Sequence, residues 1–374
     1  MKTIGFLLLF AVSGAAYAQF EDPLDVAALT LAAPAKAPIT ALTHAGPLLV
    51  GVGMRGLIVS SADGGVTWTQ QPSPVQSDLT AVTFVGPATG WIVGHDGVIL
   101  ATKDGGKTWK KQLDGRGAAT EFAAHYQRLV DAGSEEGSAL LMQTHLNYKD
   151  GPSLPYLDVC FTDEETGYAV GPFGMIAVTR DGGSSWLPWL EHVDNPDFVT
   201  LNAIRKVGDT IFIVGEQGLV FRLDSESQRF LRVSTGYAGT FFGLTGEGQT
   251  VIAFGLQGTV YRSADGGRQW QSIAMPSRPA VTAGAAIGKH SFVVANANGE
   301  LYRSSDDGLS FSASGVGAGA PATAVEPQDG KLVYASSDGL SLVKSGATPG
   351  SNTAASRAGE PAAKRILAAA SRPQ

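Results

Sequence analysis

A stretch of twenty residues, Gly90 to Trp109, recurs along most of the chain and constrains the fold more than any other feature. It contains a short apolar strand, a tight turn at Asp96-Gly97, a returning strand, and a second turn that ends in an aromatic residue. Gly, Asn and Asp tolerate the positive φ angles that two-residue hairpin turns require. Each copy therefore predicts a run of short antiparallel strands.

Seven such units can be counted, and five of them carry the pattern Ser/Thr-x-Asp-x-Gly-x-x-Trp/Phe in the second turn. The aspartate and aromatic pairs are Asp63 with Trp68, Asp104 with Trp109, Asp181 with Trp186, Asp265 with Trp270, and Asp306 with Phe311. The unit that ends at Phe230 has lost this turn, and the last unit, Lys331 to Val343, keeps only the first turn.

The spacing of the units predicts the architecture. Aromatic residues close the units at 68, 109, 186, 230, 270 and 311, with separations of 41, 77, 44, 40 and 41 residues. A period of about 40 residues with four short strands is typical of a β-propeller blade. The longest separation is one period plus an insertion. We therefore predict an all-β fold, a seven-bladed β-propeller of four-stranded blades with a helical insertion between blades 2 and 3.

The ends of the repeat region suggest how the ring closes. An apolar segment ahead of each unit, such as Leu79 to Phe84, is predicted to be the inner strand of its blade. The last unit has no outer strand after Val343, and a spare apolar segment near 26–31, Val26 to Leu31, precedes the first blade. Pairing the two would cover an exposed strand edge, so we expect this N-terminal strand to close the ring.

The repeat also supports a family resemblance. Ser/Thr-x-Asp-x-Gly-x-x-Trp/Phe is the Asp-box, or BNR, motif of propellers. The run Leu79 to Phe84, followed by Gly90-Trp91-x-Val93-Gly94-x-x-Gly97 and by Thr102 to Trp109, resembles the photosystem II stability/assembly factor family over residues 38 to 343. The resemblance implies a noncatalytic propeller that binds a membrane protein or complex during assembly. A link to photosynthesis follows from the resemblance only, and in a nonphotosynthetic bacterium a membrane transporter is one candidate client.

The two termini differ from the repeats. Residues 1–18 have a positive Lys2, the apolar run Ile4 to Val12, and the small-x-small site Ala16-Tyr17-Ala18, which together predict a secretory signal peptide cleaved near Ala18. We expect residues 19–344 to form the propeller in the periplasm or outside the cell. Residues 345–374 are rich in Gly, Ala, Ser, Thr and Pro, which predicts a disordered tail.

Composition narrows the kinds of partner. The net charge of -7 and pI of about 5.4 argue against a nucleic-acid partner. Cys160 is the one cysteine, so it cannot form an internal disulfide, and we predict a small buried thiol on an inner strand. The histidines match no ligand spacing, and we predict no cofactor and no metal site. The chain itself is expected to be a monomer that does not span the membrane, with an envelope or membrane protein as its partner.

The insertion, at about 111–154, departs from the repeat. Ala118 to Ala132 carries Phe122 and Tyr126 at helical spacing, and Ser134 precedes a second apolar stretch. The sequence therefore predicts a helical hairpin. The hairpin could cover the channel mouth as a lid, reach outward as a docking arm, or pack against the propeller.

Propeller geometry assigns these features to two faces. The Asp-box turns should lie on one face, while the tight hairpins and the insertion share the other, where we expect the partner. The candidate partner-binding residues are Arg55, His95, Phe173, Glu216 and Gln257 at hairpin tips, and Phe122, Tyr126 and Arg128 in the insertion. Variation at fixed positions suits an irregular partner, although an unconstrained surface also varies.

A catalytic interpretation comes from the Asp-boxes, which sialidases also carry. A motif repeated five times around a ring cannot mark one active site, and short polar residues in turns accept hydrogen bonds from turn amides. A sialidase would also need three converging arginines, and the candidates are Arg55, Arg116, Arg205, Arg222, Arg262 and Arg303. We predict a protein that is not an enzyme, with a sialidase-like or other glycoside hydrolase and a glycan-binding propeller as the alternatives.

Overall fold

The computed structural model describes residues 21–317 and 320–344 of the 374-residue chain. The predicted signal peptide at 1–18 and the predicted tail at 345–374 lie outside these residues. The described chain forms six four-stranded antiparallel sheets and one three-stranded sheet, with two α-helices after the second sheet. The seven-bladed propeller with an insertion between blades 2 and 3 is confirmed.

The blades follow one another along the chain. Blade 1 contains β1 (Ile39–Ala45), β2 (Leu48–Gly53), β3 (Ile58–Ser61) and β4 (Thr69–Gln71). Blade 2 contains β5 (Leu79–Val85), β6 (Thr89–Gly94), β7 (Ile99–Thr102) and β8 (Lys110–Leu113). Blade 3 contains β9 (Asp158–Phe161), β10 (Gly167–Val170), β11 (Ile176–Thr179) and β12 (Leu187–Pro188). Blade 4 contains β13 (Leu201–Val207), β14 (Thr210–Gly215), β15 (Val220–Asp224) and β16 (Arg229–Val233).

The remaining blades repeat this order. Blade 5 contains β17 (Phe241–Glu247), β18 (Thr250–Gly255), β19 (Val260–Ser263) and β20 (Gln271–Ile273). Blade 6 contains β21 (Val281–Gly288), β22 (Ser291–Asn296), β23 (Glu300–Ser304) and β24 (Ser312–Gly317). Blade 7 contains β25 (Ala322–Gln328), β26 (Lys331–Ser336) and β27 (Gly339–Lys344). The first strand of each blade contacts the first strand of the next, and β25 returns to β1. These strands surround the channel, as predicted.

A β-bulge near the start of the inner strands joins neighbouring blades. Six of the seven inner strands shift register at their second residue. Four of the residues at this position donate a side-chain hydrogen bond to a backbone carbonyl at the start of the next inner strand. The bonds are Thr40 Oγ1 to Leu79 O (2.6 Å), Thr80 Oγ1 to Tyr156 O (2.5 Å), Asn202 Nδ2 to Phe241 O (2.8 Å) and Thr323 Oγ1 to Ile39 O (2.6 Å).

The prediction that an N-terminal strand closes the ring is wrong. Val26 to Leu31 forms no strand and does not pair with β27, which leaves blade 7 with three strands among the described residues. The segment lies beside blade 1, where the Gln70 side chain donates to Leu29 O and accepts from Leu31 N, both at 2.8 Å. These bonds occupy one carbonyl and one amide of the segment's backbone and hold it beside β4.

The ring closes through its inner strands instead. Thr323 on β25 bonds to Ile39 on β1, and the His44 Nε2 on β1 lies 2.9 Å from Pro327 O on β25. A single 3-10 turn at Pro34–Lys36 contacts β27 and β4 on either side of the junction. The last and first blades are therefore joined by the same kind of contact that joins the other blades.

Candidate functional site

The Asp-box turns have a shared hydrogen-bonding geometry. In the turn after β7, Asp104 Oδ1 accepts from Thr108 N at 3.0 Å and from Thr102 Oγ1 at 2.7 Å, while Oδ2 accepts from Thr108 Oγ1 at 2.6 Å. Gly106 N donates to Thr102 Oγ1 at 3.1 Å, and Trp109 Nε1 donates back to Gly106 O at 3.0 Å. Asp63, Asp181, Asp265 and Asp306 make the corresponding bonds to turn amides. Both oxygens of Asp104 are therefore occupied by the turn itself.

These hydrogen bonds also lower the pKa values of the Asp-box carboxylates. The Thr67 hydroxyl, followed by the Thr67 amide, lowers the pKa of Asp63 to about 2. The Thr108 hydroxyl does the same for Asp104, and the Ser310 hydroxyl for Asp306, each with a pKa of about 2. Donors that stabilise the carboxylate form explain the direction of these shifts. The Asp-box carboxylates are thus held ionised, as hydrogen-bond acceptors.

The closing aromatic residues serve the packing of the blades. Trp68 and Trp270 each donate the indole N–H to the glycine carbonyl three residues earlier, as Trp109 does. The Trp186 ring stands edge-on to Phe161, whose own ring stacks on Trp91 of blade 2. The Phe311 side chain is buried between apolar residues of blades 5 and 6.

The second face carries the tight hairpins, and we call it the hairpin face. It comprises the turns between the second and third strands of the blades together with the insertion. In five blades two consecutive turn residues adopt positive φ angles, and the second is always glycine. The first of each pair is Arg55, Asp96, Phe173, Gln217 or Gln257. A left-handed pair of this kind fixes the backbone, so different side chains are presented on one rigid frame.

The candidate residues at the tips lie on this face but are not gathered into one site. His95 belongs to the blade 2 tip, which contacts the insertion, and Phe173 O accepts from Gln143 Nε2 of the insertion at 3.4 Å. Arg55 belongs to blade 1 and Gln257 to blade 5. The carboxylate of Glu216 is used internally, since it accepts from Thr200 N at 3.0 Å. The structure therefore brings His95 and Phe173 next to the insertion and leaves the other three on separate blades.

The insertion is a helical hairpin, as predicted, made of α1 (Gly115–Asp131) and α2 (Gly137–Tyr148). The Asp114 side chain caps α1 by accepting from Arg116 N at 3.0 Å and Gly117 N at 3.3 Å. Ser134 Oγ accepts from Gly137 N at 3.2 Å at the start of α2. Both helices begin at polar acceptors that satisfy free amide groups.

Two of the predicted partner-binding residues face the wrong way for that role. Phe122 is 4% exposed and Tyr126 is 0% exposed. The Tyr126 hydroxyl donates to Glu191 Oε2 at 2.8 Å and accepts from Leu190 N at 3.0 Å. Burial of the apolar face of α1 against blade 3 explains this placement. Arg128, on the opposite face of α1, is exposed.

The sequence interpretation missed an exposed apolar pair on α2. Met142 is 64% exposed and Leu146 is 47% exposed, four residues apart on one side of the helix. Leu140, two residues before Met142, and Thr144, midway between the pair, are buried on the inner side. The exposed pair could have been predicted from the apolar residues on both sides of α2. A helix packed on one side needs apolar residues on that side alone. We call Met142, Leu146 and the 54%-exposed Phe173 the insertion patch.

The channel contains charged side chains, two of which, Asp158 and Glu326, the sequence did not single out. A cavity of about 220 Å³ is lined by residues from all seven inner strands. Asp158 accepts from Ile204 N at 2.8 Å and pairs with the Arg205 guanidinium. Burial raises the pKa of Glu326 to about 7, against the opposing effect of Arg205. Cys160 is buried, as predicted, and burial raises its pKa to about 11.

The six arginines considered for a sialidase site lie in different parts of the molecule. Arg116 pairs with Asp25 and Asp114 on the hairpin face, while Arg205 faces the channel. Arg222 Nε donates to Gly266 O at 2.9 Å, and Arg262 Nε donates to Asp307 O at 2.5 Å. Arg55 and Arg303 belong to blades 1 and 6. The six side chains do not converge on one pocket.

Within residues 21–317 and 320–344, no helix combines the length and apolar character needed to cross a bilayer. The same residues contain no group of three or more His, Cys, Asp or Glu side chains suited to holding a metal ion.

Comparison with known proteins gives a consistent result. Residues 42–119 and 143–353 match the model of the family described as photosynthesis system II assembly factor YCF48. The photosystem II assembly lipoprotein Ycf48 of Synechococcus sp. (strain CC9902) is 27% identical over 184 residues, which are 48% of this chain and 53% of that protein. The chain thus spans about half the length of this relative.

Solved structures of the same family share the fold. "YCF48 bound to D1 peptide" superposes with a TM-score of 0.61 at 15% identity, over 85% of this chain and 98% of the other. YCF48 from Cyanidioschyzon merolae gives a TM-score of 0.59 at 15% identity, over 83% and 97%. At such identities the likeness concerns the fold, and it is the family model that covers well over half of the sequence. The chain belongs to the photosystem II assembly factor Ycf48 family.

Proposed function

We propose that this protein is an exported, noncatalytic propeller that binds a membrane protein or membrane complex during its assembly. Membership of the Ycf48 family supports the proposal most directly. One solved member of the family is described as bound to a D1 peptide, which is the kind of ligand that an assembly factor would hold. Export rests on the leader-like residues 1–18, and cleavage near Ala18 would release the protein into the periplasm.

The insertion patch is the part of the hairpin face that we assign to the client. Its three side chains are apolar and exposed; Met142 and Leu146 lie on the insertion that interrupts the repeat, and Phe173 lies on the blade 3 tip beside it. Gln143 Nε2 donates to Phe173 O, which holds α2 beside the blade 3 tip. Exposed apolar side chains on a rigid support are typical of protein-binding surfaces. The exposed Arg128 adds a cation on the neighbouring helix.

The noncatalytic part of the proposal rests on how the polar groups are used. Both oxygens of Asp104 are occupied by its own turn, and equivalent aspartates recur in four other turns. Four of the six arginines are bonded to different partners, and the other two belong to blades 1 and 6. Glycoside hydrolysis would instead need carboxylates and cations gathered about one bond.

Affinity capture from detergent-solubilised envelopes of the source organism tests the proposal. The bait is the full chain, compared with the double variant Met142→Ser/Leu146→Ser. We expect the unaltered bait to retain a specific membrane protein, identified by mass spectrometry, and the double variant to retain at least five-fold less. Both substituted side chains are largely exposed, so the melting temperature should stay close to that of the unaltered chain.

A matched control distinguishes binding at the insertion patch from non-specific binding by exposed apolar side chains. Val66→Ser/Leu309→Ser removes two side chains that are 66% and 55% exposed on the Asp-box face. This control should capture the client as well as the unaltered protein does. Equal loss in both variants, or capture of no membrane protein at all, would argue against the proposed function. Turnover of glycoside reporters that a single carboxylate substitution abolishes would replace it with a hydrolase.

A further inference from the structure

Exposed apolar side chains are concentrated on one face of the propeller. Among the described residues, twelve large apolar side chains are exposed, and seven of them lie on the hairpin face or on the segments attached to it. The seven are Leu29, Leu31, Met54, Met142, Leu146, Phe173 and Leu256. Two of the others, Val66 and Leu309, lie in Asp-box turns on the opposite face. We propose that the hairpin face lies against the surface of a lipid bilayer.

The apolar tips are spread around the ring. Met54 lies on the blade 1 tip, Phe173 on the blade 3 tip and Leu256 on the blade 5 tip. Met54 and Leu256 come directly before the left-handed pair of their turns, and Phe173 is the first residue of its pair, so all three lie at the tips of alternate blades. A peptide ligand would need apolar side chains gathered in one groove. Three separate apolar tips on one face of a ring instead match a broad apolar surface, which a bilayer interface provides.

A second group of apolar residues extends the surface at blade 1. Leu29 and Leu31 line a cavity of about 450 Å³ together with Met54. Arg55, next to Met54, is exposed at the rim of this cavity. A cation beside apolar side chains suits the boundary between lipid headgroups and acyl chains, where the apolar stem and the charged end are both accommodated.

The N-terminal segment is held on the same side of the molecule as the insertion. Leu24 is 1% exposed, and Asp25 pairs with Arg116 at the start of α1, with oxygen–nitrogen distances of 2.8 and 2.9 Å. These contacts fix residues 22–25 beside the insertion, so Leu29 and Leu31 belong to the apolar surface of the hairpin face.

Site-specific fluorescence tests which face meets lipid. Single cysteines at Met54, Phe173 and Leu256, and control cysteines at Val66 and Leu309, are labelled with the environment-sensitive fluorophore NBD in the full chain. Cys160 is buried, and the unaltered chain gives its background labelling. On addition of dioleoylphosphatidylcholine vesicles we expect a blue shift and at least a two-fold rise in emission at the three tips. The two control positions should not change.

A substitution experiment provides the second arm. Met54→Glu/Phe173→Glu/Leu256→Glu should lower the vesicle-bound fraction in co-sedimentation at least three-fold, while Val66→Glu/Leu309→Glu should leave it unchanged. Circular dichroism checks that both variants fold. No response at any position, or an equal response on both faces, overturns the proposal. Vesicle binding that requires phosphatidylglycerol and does not change with the apolar substitutions also overturns it. So does NBD fluorescence at the tips that responds to a protein partner and never to lipid.

The lipid proposal and the client proposal can fail separately. The vesicles contain no protein, and the three tips tested include one of the three residues of the insertion patch. Client capture in detergent depends on Met142 and Leu146, which the vesicle variants leave intact. If the unaltered protein captures a client but does not bind vesicles, the lipid proposal is wrong. If it binds vesicles through the tips but captures no client, the client proposal is wrong.

Discussion

At the residue scale, the Asp-box aspartate stabilises a turn. Asp104→Ala removes acceptors for Thr108 N, Thr108 Oγ1 and Thr102 Oγ1. By analogy with a lost helix cap, the cost should be roughly 1–2 kcal/mol, or about 1.5–3 °C in melting temperature for a chain of this size. Client binding by the folded protein should be unchanged. Asp209→Ala, in the exposed turn between β13 and β14, is the control. An unchanged melting temperature with selective loss of binding would contradict the structural role.

The acid dependence of stability follows from the same bonds. The Thr108 hydroxyl lowers the pKa of Asp104 from 3.8 to about 2, so folding favours the ionised carboxylate. This contribution is fully present above the unfolded pKa and is lost as pH falls from about 4 through about 2. In thermal unfolding from pH 5 to pH 2, the difference between the unaltered protein and Asp104→Asn should shrink toward pH 2. A difference that stays constant down to pH 2 would show that the carboxylate charge contributes nothing.

Local chemistry explains why the turns could be predicted from the sequence. The acceptor, the donors and the glycines of an Asp-box lie within eight residues, so the motif contains all the groups that its geometry needs. The same holds for Asp96-Gly97, whose φ angles of 59° and 64° are those that the dipeptide favours. The hydrogen bond of Thr323 could not be predicted from local sequence, because its acceptor on Ile39 lies 284 residues away.

At the element scale, one hydroxyl ties the insertion to blade 3. Tyr126→Phe removes the donor to Glu191 and leaves the buried Leu190 amide without its acceptor. A buried amide left unpaired costs about 1–3 kcal/mol. We expect faster hydrogen exchange across α1 in addition to a lower melting temperature. Gln127→Ala, on the exposed side of α1, should change neither. Unaltered exchange in α1 would mean that apolar packing alone positions the helix.

Helical spacing predicted the existence of α1 and the side on which its apolar residues lie. It could not decide between a lid, a docking arm and packing, because that depends on what blade 3 offers. The acceptor for the Tyr126 hydroxyl is 65 residues further along the chain. The exposed pair Met142 and Leu146 was overlooked for a related reason, since Leu140 and Leu141 beside them suggest a helix buried on a broad face.

At the scale of the whole molecule, the family fold allowed two ways of closing the ring, and the sequence pattern favoured the wrong one. The N-terminal segment is apolar like a strand, and the last blade lacks one outer strand. The sequence therefore offered one spare segment for one missing strand. The pattern does not reveal that the segment's backbone groups are bonded by Gln70 or that β25 and β1 meet directly. Strand pairing between distant segments depends on which partner is nearest in space, and repeat periodicity carries no information on that choice.

Closure through the inner strands predicts where the ring is vulnerable. Thr323→Val removes the only side-chain hydrogen bond that the structure gives Thr323 across the blade 7 to blade 1 junction, and the change preserves the shape of the side chain. It should lower stability by about 1 kcal/mol and speed hydrogen exchange in β25 and β1. Thr323→Ser keeps the donor and should restore most of the loss.

Replacing Val26 to Leu31 with a Gly-Ser segment of equal length should have a smaller effect on the ring. Most of these side chains are exposed, and the buried anchor Leu24 stays in place. We expect a melting temperature within about 2 °C of the unaltered protein, the range of neutral surface changes, and unaltered exchange in β27. Since a closing strand would protect the β27 amides, a large increase in β27 exchange after this replacement would restore the strand-closure model. In that case the hydrogen bond from Thr323 to Ile39 would contribute to local packing and not to closure of the ring.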